Sequence, residues 1–170
     1  MSSTEDYHKN WKYDYYSVEA IIDRSLWEDS LIENFGKKLN STLNEIFKET
    51  KSMASKNNYI FSIFFSGEKK IIKLNKTYRN INKPTNVLSF PNLTKNSKNE
   101  IFLGDVIFAS ETIANEAYQE NKSVDNHLIH LFIHSVLHLL GYNHETNDKA
   151  LIMERLEIKI LKNLNIDNPY

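Results

Sequence analysis

Three imidazoles crowd into "HSVLHLLGYNH", residues 134–144: His134, His138 and His144, with Gly141 between the second and the third. On a helix, side chains four apart stand side by side, so His134 and His138 can aim at one ion. Glycine takes the left-handed backbone that ends a helix. A reversal after Gly141 would bring His144 back over the last helical turn. Three imidazoles with a coordination position left open is the arrangement of catalytic zinc. Neutral ligands leave the ion its full charge, and water bound in such a site has a pKa near ~7. His130 and His134 share the same spacing, but the turn favours the pair nearest to it. His130 is read as a hydrogen-bonded neighbour of the ligands and His127 as a boundary residue. His8 lies in the polar N-terminal stretch and carries no inference.

The same spacing occurs in the metzincin protease pattern H-E-x-x-H-x-x-G-x-x-H, in which the Glu takes the proton from the zinc water. Here Ser135 holds that position, and a serine cannot act as that base near neutral pH. Glu145 is a conceivable substitute outside the helix. Peptide hydrolysis by the usual route is therefore disfavoured. Phosphodiester cleavage asks for something else: positive charge on the phosphoryl oxygens and an activated nucleophile. Residues 69–83, "KKIIKLNKTYRNINK", hold Lys69, Lys70, Lys73, Lys76, Arg79 and Lys83 and no acid. Arg79 is the member that can clamp a phosphate in bidentate fashion. The plainer reading of the run is a solvated helix face.

These side chains need a scaffold. "SVEAIID" (17–23), "YIFSIFF" (59–65), "NVLSF" (86–90) and "IFLGDVIFA" (101–109) read as strands, with Gly104 marking a bulge or a close backbone approach. A capping box at Ser30–Glu33 predicts the start of a helix with an apolar residue at every fourth position from Leu31 to Phe47. Further helices are expected at 68–80, stopped by Pro84, at 111–120, capped by Ser110, at 124–140, and after Thr146 or Asn147. In the 124–140 helix, taking His127 as zero, His130, His134 and His138 fall near about −60°, −20° and +20°. They form one stripe, opposite an apolar arc running from Leu128 to Leu140. The sum is an α/β (α+β) fold: one small mixed sheet of about four strands packed with about five helices, with the zinc site on a helix and its following turn.

At 170 residues the chain suits one domain. We divide it into a polar N-terminal tail, 1–16, and a single domain, 17–166. Hydrophobic residues are 41% and aromatics 12%, enough for a packed core. No cysteine is present, so disulfide frameworks and thiolate metal sites are excluded, and a reducing compartment is expected. The first residues have no apolar leader, and the most apolar stretch, 127–142, is too short and too rich in histidine for a membrane span. The expectation is no membrane and a cytoplasmic protein. A net charge of −1 argues mildly against a generally basic nucleic-acid binder. Asp105 is weighed as a residue that orients a histidine and, more plainly, as a turn or strand-end residue. Glu111, Glu116 and Glu120 read as the wet face of a helix.

Three blocks in order, "LNKTYRNINKPTNVLSFP" (74–91), "LGDVIFA" (103–109) and "HSVLHLLGYNH" (134–144), closely resemble the signature blocks of the YbeY family. The likeness runs from about 59 to 165. It implies a single YbeY-like metallohydrolase domain with one Zn2+ held by His134, His138 and His144, and Arg79 as the functional arginine. It also implies a single-strand-specific endoribonuclease. The implied substrate is single-stranded ribosomal RNA, at the 3′ end of small-subunit (16S) RNA. The implied partners are the small ribosomal subunit and its assembly factors, in ribosome maturation and quality control. This chain departs from the family pattern in having Ser135 for Gly, and Asn143 and Asn86 for Asp. Ser135 is expected to tighten the cleft beside the first ligand. The competing readings are a metzincin-like zinc peptidase and a non-catalytic ribosome-associated protein braced by zinc.

Overall fold

A computed structural model describes residues 6–52 and 57–170. Residues 1–5 of the expected tail lie outside the described residues. The elements run β1 (Tyr7–Lys12), β2 (Tyr16–Ile22), α1 (Asp29–Thr50), β3 (Asn58–Ser66), α2 (Glu68–Arg79), β4 (Val87–Lys95), β5 (Glu100–Ala109), α3 (Ser110–Gln119), α4 (Val124–Leu139) and α5 (Asn147–Asn163). They form an α+β fold with one five-stranded mixed sheet, ordered β1-β2-β3-β5-β4. The central strands β2, β3 and β5 are parallel, and β1 and β4 close the edges antiparallel.

The fifth strand is β1, where the polar composition suggested a tail. Its residues alternate: Tyr7, Lys9 and Trp11 are half-buried and His8, Asn10 and Lys12 exposed. Trp11 packs edge-on against Phe35 with ring centroids 6.0 Å apart. It lies over Gly36, where an added Cβ would meet its indole nitrogen at 2.5 Å. The glycine that weakens α1 as a helix thus makes room for the edge strand. The second edge strand is also longer than expected. β4 runs on to Lys95, through a register break between Pro91 and Thr94. Gly104 explains the break: φ is +138°, and a Cβ there would lie 2.2 Å from the Phe90 carbonyl oxygen.

The sheet has two unlike faces. Val18, Ile22, Phe61, Ile63, Phe65, Val106 and Phe108 point into the main core with α1, α4 and α5. On the other face α2 sets Ile71 against Leu88 and Ala109. An open groove of about 770 Å³ runs beside it, past Glu19, Ser62, Phe64, Phe90 and Asp105. Asp105 sits mid-strand, paired with Ser62 and Phe90. It alternates with core-facing Val106, so it is neither a strand end nor a partner of the histidines. Burial pushes its carboxyl up, partly offset by a hydrogen bond from Ser62.

Helix ends differ in detail from the sequence reading. α1 starts at Asp29 after Glu28, with no side-chain cap from Ser30. α2 ends at Arg79, stopped by the left-handed backbone of Asn80 (φ 57°) before Pro84 is reached. Ser110 is the first residue of α3, not its cap. Ser123 does cap α4, accepting from the Asn126 N–H, and Thr146 caps α5, accepting from the Lys149 N–H. No helix among the described residues is long and apolar enough to cross a membrane.

Candidate metal centre

Rotation of α4 is fixed by what it buries. Leu128, Ile129, Phe132, Ile133, Val136 and Leu137 are at most 1% exposed, and Phe132 stacks edge-on to Phe35 at 5.3 Å. Tens of apolar contacts of this kind leave the helix one orientation. Its remaining stripe, with His134 and His138, faces α5 and the turn. Gly141 has φ +98°. The Gly141 N–H donates to the His138 carbonyl at 3.0 Å, and the Tyr142 N–H to that of Leu137 at 3.0 Å. The chain reverses, and His144 returns.

The three rings then meet. Centroid distances are 4.6 Å for His134–His138, 5.0 Å for His134–His144 and 5.2 Å for His138–His144. One nitrogen from each lies within 4.8 Å of the others. His134 and His138 are half-buried, and His144 is exposed.

Tautomers follow from the partners. His138 Nδ1 donates to the Tyr142 carbonyl at 2.9 Å, and His134 Nδ1 donates to Glu157 Oε1 at 2.5 Å. Carbonyl and carboxylate oxygens only accept, so the proton sits on Nδ1 in both rings. Both Nε2 atoms are left with lone pairs, and they stand 3.0 Å apart. Two lone pairs at that distance repel unless a cation lies between them. Two nitrogens about 2.0–2.1 Å from one tetrahedral zinc would be separated by roughly 3.3 Å. The residues present therefore fit a metal ion. Burial, followed by the neighbouring His134, holds His138 down to about 4, which keeps it neutral and able to ligate at neutral pH.

Glu157 is the residue that sequence reasoning missed. It sits on α5, 0% exposed, and accepts from His134, from His130 Nε2 at 3.3 Å and from the Tyr170 hydroxyl. Burial opposes its charge, but the hydrogen bonds from His130, His134 and Tyr170 outweigh burial and hold it down to about 2. A signal existed. Met153 and Ile160 mark the buried stripe of α5, and position 157 falls on it, four residues from Met153. A glutamate on a core stripe requires a partner. His130 is the hydrogen-bonded neighbour that its spacing suggested.

Other expectations change. His127 is 5% exposed, not a boundary residue. Its Nε2 donates to Glu116 at 2.8 Å, and Glu116 also accepts from Asn86 Nδ2 at 3.0 Å. Glu116 is thus bonded rather than merely wet. Glu111 likewise accepts from the Glu68 N–H at 3.0 Å. Ser135 is fully buried and donates to the Leu131 carbonyl at 2.7 Å, so it points into the packing and does not narrow a cleft. Glu145 is 71% exposed and paired with Lys149 at 3.0 Å, and among the described residues no contact joins its carboxylate to the three histidines. Asn143 accepts from the Glu145 N–H at 3.1 Å and shapes the turn.

Arg79 is the exposed last residue of α2, and among the described residues no contact joins it to the histidine cluster. The loop after it is pinned at two points. Asn75 Nδ2 donates to the Lys83 carbonyl at 2.9 Å, and Asn86 is held by Glu116. All six cations of the 69–83 run are exposed.

The chain matches the family model described as Endoribonuclease YbeY over residues 27–165. It is 40% identical over 158 residues to an Endoribonuclease YbeY of Bartonella quintana (strain Toulouse), covering 91% of this chain and 96% of that protein. An Endoribonuclease YbeY of Bartonella bacilliformis is 48% identical over 111 residues, 64% of this chain and 70% of that protein. One from Ruthia magnifica subsp. Calyptogena magnifica is 39% identical over 150 residues, 88% and 99% respectively.

Proposed function

This chain belongs to the YbeY endoribonuclease family, and from that premise we propose that it is a metal-dependent endoribonuclease acting on single-stranded ribosomal RNA. We assign it to maturation of the 3′ end of small-subunit RNA and to ribosome quality control. In that role it works in the cytoplasm, with the small subunit and its assembly factors as partners. The observation that carries the reading is the pair of bare Nε2 atoms of His134 and His138, 3.0 Å apart, with His144 folded back beside them.

His134, His138 and His144 would hold one Zn2+, for which an all-imidazole donor set is suited. Among the described residues no fourth ligand groups with them, which favours an open coordination position over a closed structural site. When bound, such an ion supplies Lewis acidity, polarising a phosphoryl oxygen and acidifying water. The chain's own residues do the positioning. Glu157 and the Tyr142 carbonyl hold two ligand rings in the tautomer that bares Nε2. Arg79 presents a planar fork of N–H donors that suits two oxygens of one phosphate. Its pinned loop limits how far the fork can wander.

The test is cleavage of a single-stranded RNA oligonucleotide by purified protein, with mapping of small-subunit RNA 3′ ends in cells. Arg79→Ala should keep its metal and lose roughly 100-fold in cleavage rate, the scale set by removing one charge-stabilising donor. Cleavage that persists in strong chelator would refute the metal's role, and undiminished cleavage by Arg79→Ala would refute the arginine's.

A further inference from the structure

After α5 the chain turns at Asn165, which has a left-handed backbone (φ 57°), and the Ile166 N–H donates to the Leu161 carbonyl at 2.9 Å. Ile166 packs on the core. Lys122 Nζ then holds the Pro169 carbonyl at 3.0 Å. These ties deliver Tyr170 to the side of α4, with its ring edge-on to His130 at 5.9 Å. The residue as a whole is 61% exposed, yet its hydroxyl reaches the fully buried Glu157. A largely exposed residue whose hydroxyl lands on a buried carboxylate is placed there by the hydrogen bond more than by packing.

Glu157 divides its two oxygens. Oε1 serves His134, and Oε2 serves His130 and Tyr170. Without the phenol, Oε2 keeps one long bond, 3.3 Å to His130. A carboxylate so freed would turn toward His130 and slacken its grip on His134. We propose that Tyr170 is a positioning residue for the metal centre: its hydroxyl pins Glu157 so that His134 Nδ1 stays occupied and His134 Nε2 stays aimed at the ion. This inference rests on the three-histidine metal reading above. It adds the segment 164–170 to the apparatus that sets metal affinity.

The experiment is equilibrium competition for Zn2+ between the full chain and a chromophoric chelator, with the Co2+ absorption spectrum as a second readout of ligand geometry. Four proteins are compared: wild type, Tyr170→Phe, Glu157→Gln and the double variant. Loss of a partner that orients a metal ligand costs roughly 10–100-fold in affinity. Glu157→Gln should fall in that range, and Tyr170→Phe, one bond further out, should lose roughly three- to tenfold. The double variant should bind no more weakly than Glu157→Gln alone, because the phenol acts through that carboxylate. A merely structural contact would instead give additive losses and would lower the unfolding midpoint of the metal-free protein to match. Equal affinities for wild type and Tyr170→Phe, or additive losses in the double variant, overturn the proposal and leave the metal reading standing. A wild type that takes up no ion overturns both.

Discussion

His127 and His134 lie on the same helix seven residues apart, and each donates to a carboxylate from a neighbouring helix: Glu116 of α3 and Glu157 of α5. His127 spends its outer nitrogen, Nε2, on the carboxylate, and its Nδ1 is buried with no partner. His134 spends Nδ1 and keeps Nε2. Nδ1 is the ring nitrogen nearer the helix backbone, so a lone pair left there is walled in by the helix itself. A lone pair left on Nε2 points away, toward whatever the chain brings opposite. At the C-terminal end of α4 the Gly141 turn brings His144; at the N-terminal end the returning segment 166–169 brings no third histidine among the described residues. A histidine–carboxylate pair is thus not itself a metal site. The nitrogen used, and the path of the chain after the helix, decide between a structural brace and a ligand.

The sharpest way to break this contrast is to remove each histidine in turn. His134→Ala or His138→Ala should abolish stoichiometric Zn2+ binding, a loss of more than roughly 100-fold, beyond what an orienting partner contributes, and RNA cleavage should fall to background. His127→Ala should still bind one ion. It should instead cost about 1–3 kcal/mol of stability, the scale of leaving Glu116 short of a donor. Metal content by elemental analysis and urea midpoints separate the two outcomes. A His127→Ala protein as metal-poor as His134→Ala would erase the distinction between the two ends.

The carboxylates offer a milder version. Glu157→Gln keeps an acceptor near His134 but loses the charge, and should weaken metal binding by roughly 10–100-fold. Glu116→Gln should leave it unchanged, because among the described residues no hydrogen bond joins Glu116 or His127 to the three-histidine cluster. Chelator competition measures both. Equal weakening by the two changes would mean that α4 transmits strain along its length and that the two ends are coupled.

How much of this was legible in advance divides along the same line. The clustering of the three histidines could be read because its information is local: an i, i+4 pair, a helix-ending glycine and one more histidine lie within eleven consecutive residues. The supporting groups could not, because each comes from another element. Glu116 reaches His127 from α3 and is itself held by Asn86 from the loop before β4, and Glu157 reaches His134 across 23 positions of sequence. Hydrophobic periodicity finds the helices on which these groups sit, but not which faces meet. Edge strands failed for a related reason. β1 has polar composition because one side of it is in water, and its place is set by Trp11 packing on Phe35 and Gly36 of α1, a contact no window of sequence contains. The central strands and α4, buried and strongly apolar, were read correctly.

The smallest expected effect concerns acid. In the chelated protein His138 is held down to about 4, first by burial and then by His134, against about 6.5 for an ordinary imidazole. The unfolded chain therefore takes up this proton more readily than the folded one. Stability associated with the neutral ring is complete above 6.5 and is lost as pH falls toward 4. Glu157, held at about 2 against an ordinary 4.5, acts lower: its contribution persists above 4.5 and is lost only as pH falls from there toward 2. Melting midpoints of chelated wild type should therefore begin to drop between pH 6.5 and 4, before the glutamate titrates. His138→Ala should flatten that upper part of the profile and leave the steeper loss below 4.5. His127→Ala should keep the upper slope, since it leaves the His138 environment intact. If His127→Ala flattened the profile and His138→Ala did not, acid sensitivity would belong to the brace rather than to the ligands, and the roles assigned to the two ends of α4 would have to be exchanged.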